Sequence, residues 1–192
     1  ILFDDKKTKI QNFLRKNFLK KKDLNFKKTA RALNNNEIIL FFNENMEFGP
    51  RALGNRSILA NPKNHEAIRK INSSIKNRDF WMPFAPSILN EDHKKYFNNS
   101  KNCNTQFMTL SFKCKKKNKN DLITSLHPED FTLRPQIVKK TENFKFYKLI
   151  KEFKKLSGVG ALLNTSLNIH DKPIVFKKND LLEILTKNYK NL

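Results

Sequence analysis

An α/β domain is what this sequence predicts, and three observations carry the prediction. Segments with apolar residues at helical spacing alternate along the chain with short apolar runs of strand length. One such run, EIILFFN at residues 37 to 43, is continuously apolar, as suits a strand buried on both faces. No internal repeat and no linker-like break interrupts the 192 residues, a length that suits one domain with a sizeable core.

Residues 6 to 22 are lysine-rich, with Ile10, Phe13, Leu14 and Phe18 on one helical face, and residues 1–24 read as a lead-in to a domain at 25–192. A second helix is expected from Phe26 to Leu33, broken by Asn34, Asn35 and Asn36. After the EIILFFN strand comes MEFGPRALGNRSIL, residues 46 to 59, expected on a loop at the end of that strand. Asn64 should cap a helix running through Lys76 with Ala67, Ile68, Ile71 and Ile75 turned inward. MPFAPSIL, residues 82 to 89, is extended and stiffened by Pro83 and Pro86. Gln106 to Cys114 alternates like a strand, KCKKKNKND at 113 to 121 reads as a solvated loop, and a short strand is expected around Arg134 to Val138. A helix from about Phe146 to Leu156 closed by Gly158, a strand GALLN at 160 to 164, and a helix from Asp180 to Lys187 capped by Asn179 complete the order.

Lys+Arg 39 against Asp+Glu 18 gives a net charge of +21. The excess is carried by lysine and travels with Asn, Ile and Phe, residues that an AT-rich genome over-produces, so a solvated lysine face is its commoner meaning. A polyanion-binding surface is the alternative. Cys103 and Cys114 are too few for a zinc ribbon or a disulfide framework, and reduced thiols in a cytoplasmic protein are expected. No apolar stretch approaches membrane-spanning length. The chain opens at Ile1 and reads as a piece of something longer.

Four constellations bear chemistry. In MEFGPRALGNRSIL, Gly49 and Gly54 permit positive φ and close approach to a ligand, and Asn55 lies between Gly54 and Arg56. Successive amides there could form an anion nest, with Arg51 and Arg56 gripping phosphate or carboxylate. A Gly-Pro turn whose arginines pair with surface acids is equally open. Lys76 and Arg78 would reach one anion together if the chain has left its helix, and otherwise are ordinary helix-end cations. Asn164, Thr165, Ser166 and Asn168 offer small donors and acceptors at a strand end, unless they cap a helix. His127, Asp130 and Arg134 precede a strand, and a lone His127 is more often structural than catalytic. No Ser-His-Asp or Cys-His arrangement and no metal-ligand spacing is present, so an anion basin for phosphoryl or adenylyl transfer is the chemistry expected.

Taken together, MEFGPRALGNRSIL, INSSIKNRDFWMPFAPSIL, HPEDFTLRPQIV and LLNTSLNIHDKPIV closely resemble the C-terminal part of the O-carbamoyltransferases, over roughly residues 25 to 190. The resemblance implies a YrdC/Sua5-like fold: a twisted mixed sheet flanked by helices, with a concave basic cleft. It implies binding of carbamoyl phosphate and ATP with Mg²⁺, and formation of carbamoyl adenylate with release of pyrophosphate. A Kae1-like domain bearing iron or another metal, in cis or as a separate chain, would then move the carbamoyl group to a hydroxyl acceptor. The Lys-x-Arg and Ser-x-Asn signature of that fold falls on Lys76 and Arg78 and on Ser166 and Asn168, with Arg51 and Arg134 as further phosphate or carbamoyl ligands. Departures are Trp81-Met82 where many relatives carry Phe-Arg, and Glu44-Asn45 where they carry Gly-Arg. Nothing in the 192 residues corresponds to the Kae1-like domain, and the end falls before the family's last strand. The activation half-reaction is therefore the most expected of this chain alone, against the alternative of a non-catalytic YrdC-like module that holds RNA or a nucleotide. No membrane partner is expected.

Overall fold

In the computed structural model, residues 2–3, 24–43, 45–76, 82, 84–169, 172–177, 179–181 and 184 are described. The helix expected over residues 6 to 22 lies outside them, as does most of the helix expected from Asp180 to Lys187.

Helix α1 (Phe26–Asn34) starts where the Asn25 side chain accepts the Lys28 amide at 3.1 Å, and ends at Asn35 and at Asn36, whose φ is 65°. It buries Thr29, Ala30 and Leu33 against α4 (Phe144–Ser157), whose inward face is Phe146, Leu149, Ile150 and Phe153. Gly158, at φ 73°, closes α4 as the sequence predicts. These two helices cover one face of a sheet. The other face is covered by α2 (His65–Lys70) and the wider π turn that continues it, Ile71–Lys76, through Ala67, Ile71 and Ile75. The single α-helix expected from Asn64 to Lys76 thus changes pitch midway. Ser73 donates its hydroxyl back to the Arg69 carbonyl at 2.8 Å there, a bond that competes with regular helix.

The sheet is mixed, in the order β1 (Leu2–Phe3), β2 (Ile39–Phe42), β3 (Arg56–Ala60), β8 (Ala161–Ser166), β4 (Ala85–Leu89), β7 (Gln136–Val138). Pairs β2/β3, β3/β8 and β4/β8 are antiparallel, while β1/β2 and β4/β7 are parallel. Burial on both faces explains the unbroken apolar run of β2, because Ile39 and Phe41 pack toward α1 and α4 while Leu40 packs on the opposite side. Strand β8 sits between β3 and β4, so its residues are walled on both sides by backbone.

Gln106 to Cys114 departs from the expected strand. Only Phe112–Lys113 (β5) is extended, pairing with β6 (Thr132–Leu133) in a separate ribbon. Met108 adopts φ 56° and turns inward while Phe107 and Leu110 stay exposed, so the apolar alternation does not mark one buried face. RSIL, at the end of MEFGPRALGNRSIL, belongs to β3 rather than to the loop before it.

Candidate functional site

The loop between β2 and β3, the start of β4, the end of β8 and the turn at Met108 come together around a pocket of about 380 Å³. Its polar lining includes Arg51 from the loop, Arg134 from the approach to β7, and Thr165 and Ser166 from the end of β8. Met82, Phe84, Ala85 and Met108 supply an apolar side. Antiparallel pairing of β3 with β8 sets Ser166 opposite Ser57 at the mouth of the same loop.

Arg51 and Arg134 lie close enough to feel each other's charge. Burial first, and then Arg51, lowers the pKa of Arg134, although both side chains keep contact with solvent. Among the described residues neither guanidinium makes an ion pair. Two mutually repelling cations on one concavity amount to a site whose energy falls when an anion enters.

Lys76, at the end of the π turn, is 3% exposed and extends its ammonium to the end of β8. It donates to the Ser166 carbonyl, to Ser166 Oγ at 3.0 Å and to Asn168 Oδ1. Ser166 Oγ donates to the same Asn168 oxygen at 2.7 Å, and Asn168 Nδ2 donates to the Lys172 carbonyl at 2.6 Å. Residues 90 positions apart in sequence therefore form one hydrogen-bonded group. Arg78 lies outside the described residues. Asn164 and Thr165 belong to β8 itself, so they do not cap a helix. The Asn164 amide is 1% exposed and donates to the Ala52 carbonyl at 3.0 Å and to Ser87 Oγ at 2.9 Å, which ties β8 to the loop.

The loop amides do not form an open nest. Glu47, 8% exposed, places Oε1 at 2.5 Å from the Leu53 amide, 3.2 Å from that of Asn55 and 3.3 Å from that of Arg56. Of the two alternatives open for this loop, an anion nest or a closed turn, these amides form the second, filled by a carboxylate of the chain. Arg56 is also interior. It donates to the carbonyls of Asn43 at 2.7 Å and Asn55 at 3.1 Å and stacks 3.6 Å from the Phe42 ring. Burial lowers its pKa and Glu47 pulls it back upward. Asn55 Oδ1 accepts from Asn143 at 3.0 Å, and so does scaffold work. Gly54, at φ 102°, lies flat on the Phe146 ring, whereas Gly49, at φ 113°, faces open space. His127 pairs with Asp130 at 3.2 Å on a separate turn and does not line the pocket.

Sequence reasoning did not single out Glu47, Gln136, Asn143 or Met108. Glu47 was legible in principle as the acid within a stretch carrying two arginines, but Gln136 reaches the loop from β7 and Met108 lines the pocket from a turn outside the sheet. Among the described residues no group of three or more His, Cys, Asp or Glu side chains could hold a metal ion. No helix among them is long and apolar enough to cross a membrane.

Residues 30–191 match the family described as Carbamoyltransferase C-terminus. The chain belongs to that family. It is 40% identical over 153 residues to Uncharacterized protein MJ1058 of Methanocaldococcus jannaschii, covering 80% of this chain and 25% of that one. It is 40% identical over 130 residues to Nodulation protein NolNO of Sinorhizobium fredii, covering 67% and 19%. To 3'-hydroxymethylcephem-O-carbamoyltransferase of Amycolatopsis lactamdurans it is 30% identical over 151 residues, covering 79% and 28%. The chain thus spans 19% to 28% of the length of these carbamoyltransferase-family relatives. Full-length HypF, solved in a phosphate- and nucleotide-bound form, superposes with TM-score 0.61 at 21% identity, over 84% of this chain and 23% of HypF. That likeness fixes the fold as the YrdC-like α/β arrangement with a mixed sheet flanked by helices.

Proposed function

We propose that this carbamoyltransferase-family chain is the carbamoyl-adenylate-forming part of an O-carbamoyltransferase, taking carbamoyl phosphate and ATP. The convergence of Arg51 and Arg134 on one pocket walled by Thr165 and Ser166 carries the reading. Carbamoyl phosphate loses its phosphoryl group to water as inorganic phosphate. The freed carbamate oxygen attacks the α-phosphorus of ATP, and pyrophosphate leaves with its electron pair. No side chain has to act as a nucleophile in this scheme. The chain's part is to hold two polyanions together and neutralise the charge that moves to the leaving group, the task of paired guanidiniums. Lys76 serves by fixing the Ser166–Asn168 turn, and Arg78 is the cation expected to reach the anion from the same segment. Mg²⁺ would travel with the ATP phosphates, held mostly by them and by water. The apolar side formed by Met82, Phe84 and Met108 suits the uncharged part of a nucleotide.

Transfer to a hydroxyl acceptor then falls to a Kae1-like, metal-bearing domain in cis or on another chain. The substrates are cytoplasmic metabolites, so the reading carries a cytoplasmic location with it. The test is pyrophosphate release, or ATP/pyrophosphate exchange, dependent on carbamoyl phosphate and run with and without a Kae1-like domain supplied in trans. Arg51→Ala and Arg134→Ala should each lower the rate by about 100-fold or more, the usual loss when one transition-state donor is removed. No pyrophosphate from the wild type, together with tight RNA binding at physiological salt, would replace this reading with a non-catalytic one.

A further inference from the structure

The β2–β3 loop is built so that one charged side chain ties its neck while another stands at its crown. Glu47 opens the loop, and its Oε1 crosses to the amides of Leu53, Asn55 and Arg56 on the returning strand. The carbonyls on that returning side are held from outside. Asn164 of β8 donates to Ala52, Gln136 of β7 to Leu53 at 2.9 Å, and Asn143, the cap of α4, to Gly54 at 3.3 Å. Between the two tied sides stand Phe48, Gly49, Pro50 and Arg51, all exposed. Among the described residues no hydrogen bond or ion pair fixes the Arg51 side chain, so its position follows from the closure beneath it.

The charges are divided in the same way. Glu47 acts electrostatically on Arg56, the buried guanidinium that is spent on the carbonyls of Asn43 and Asn55. The carboxylate is balanced inside the loop, and the Arg51–Arg134 pair keeps its positive charge for a ligand.

From this geometry we infer that Glu47 is a positioning residue for Arg51: it fills the amide nest of its own loop and so sets the guanidinium that faces the pocket anion. The inference rests on the functional reading above, and it assigns no catalytic step to Glu47. The negative charge of the carboxylate strengthens each of the three amide bonds, so Glu47→Gln, which keeps the shape and an acceptor oxygen but loses the charge, should loosen the closure without emptying it.

A double-mutant cycle tests the coupling, with pyrophosphate and Mg·ATP as probes in calorimetric titrations of the whole chain. Glu47→Gln should weaken binding by about tenfold, within the range of coupling between groups in one network. In an Arg51→Ala background the same change should have almost no further effect, whereas in an Arg134→Ala background it should still cost about tenfold. A role in overall folding would instead lower affinity equally in both backgrounds, and that result, or unchanged binding in Glu47→Gln, overturns the inference while leaving the functional reading in place. A wild type that binds neither probe overturns both. If circular dichroism shows Glu47→Gln unfolded, Glu47→Asp, which keeps the charge one methylene short, runs the same cycle. Unfolding of both would make the carboxylate a determinant of the fold and refute its positioning role.

Discussion

Replacing Gly54 with alanine puts the packing of the Arg51 loop to a direct test. Two costs add. The residue sits at φ 102°, outside the region an L side chain adopts readily. Backbone strain of that kind costs about 1–3 kcal/mol. A Cβ would also lie 2.2 Å from Phe146 Cδ1, 2.5 Å from Cγ and 2.8 Å from Cε1. The ring cannot swing away, because Phe146 is fully buried and packs on Phe41 with ring centroids 6.1 Å apart. Overpacking a closed core costs about 1–3 kcal/mol more. The sum, about 2–6 kcal/mol, is a large part of the roughly 5–15 kcal/mol that holds a domain folded. It should lower the midpoint of thermal unfolding by about 4–24 °C for a chain of this length. Gly49→Ala is the control, since its φ of 113° carries strain but nothing lies within 4 Å of the added methyl. Urea titrations of both variants separate the terms, with Gly54→Ala expected to lose about 1–3 kcal/mol more than Gly49→Ala. Equal losses would show that the loop does not rest on Phe146.

Lys76→Met should leave the Ser166 and Asn168 acceptors without their ammonium donor, costing about 1–3 kcal/mol in a urea titration and abolishing carbamoyl-phosphate-dependent pyrophosphate release. Lys76→Arg should not restore activity, because a planar fork does not replace a compact ammonium among three acceptors. Burial by itself would raise the Asp121 carboxyl, but hydrogen bonds from Lys95 at 2.7 Å and Lys63 at 3.1 Å outweigh it and hold the group below its ordinary pKa. A depressed carboxyl contributes stability that is present above its unfolded pKa and lost as pH falls through the folded one. Asp121→Asn should thus be less stable than wild type near neutrality, and the gap should close below about pH 4, as followed by denaturation at a series of pH values. Phe48 is fully exposed, so Phe48→Ser should change stability by less than about 0.5 kcal/mol.

Local rules made much of the architecture legible. Asn64 caps α2 because its short amide side chain reaches the Glu66 amide at 3.0 Å, and Gly158 ends α4 because it can turn left-handed. EIILFFN reads as a strand buried on both faces, and the two packed helix layers show why. Where local rules failed, a distant partner had overridden them. The alternation of Gln106 to Cys114 is undone at Met108, which turns into a pocket built from segments far along the chain. Whether the loop amides form an open anion nest or a closed turn depends on which acid reaches them, and Glu47 does so from within.

The sequence by itself determined the family, the α/β class, the caps at Asn64 and Gly158, and which cations and small polar residues stand in the four motifs. Ordered motifs and short-range hydrogen bonding carry that information along the chain. Tertiary structure alone decided how those cations divide. Sheet order set β8 between β3 and β4, which brings Lys76 to Ser166 and Asn168 and turns Arg51 and Arg134 toward one pocket. The same pairing buries Arg56 on backbone carbonyls and leaves His127 on a separate turn. Two arginines five positions apart are thus treated differently: Arg56, at the start of β3, is buried on backbone carbonyls beside the Glu47 carboxylate, while Arg51, on the loop before it, is exposed at the pocket near a second cation.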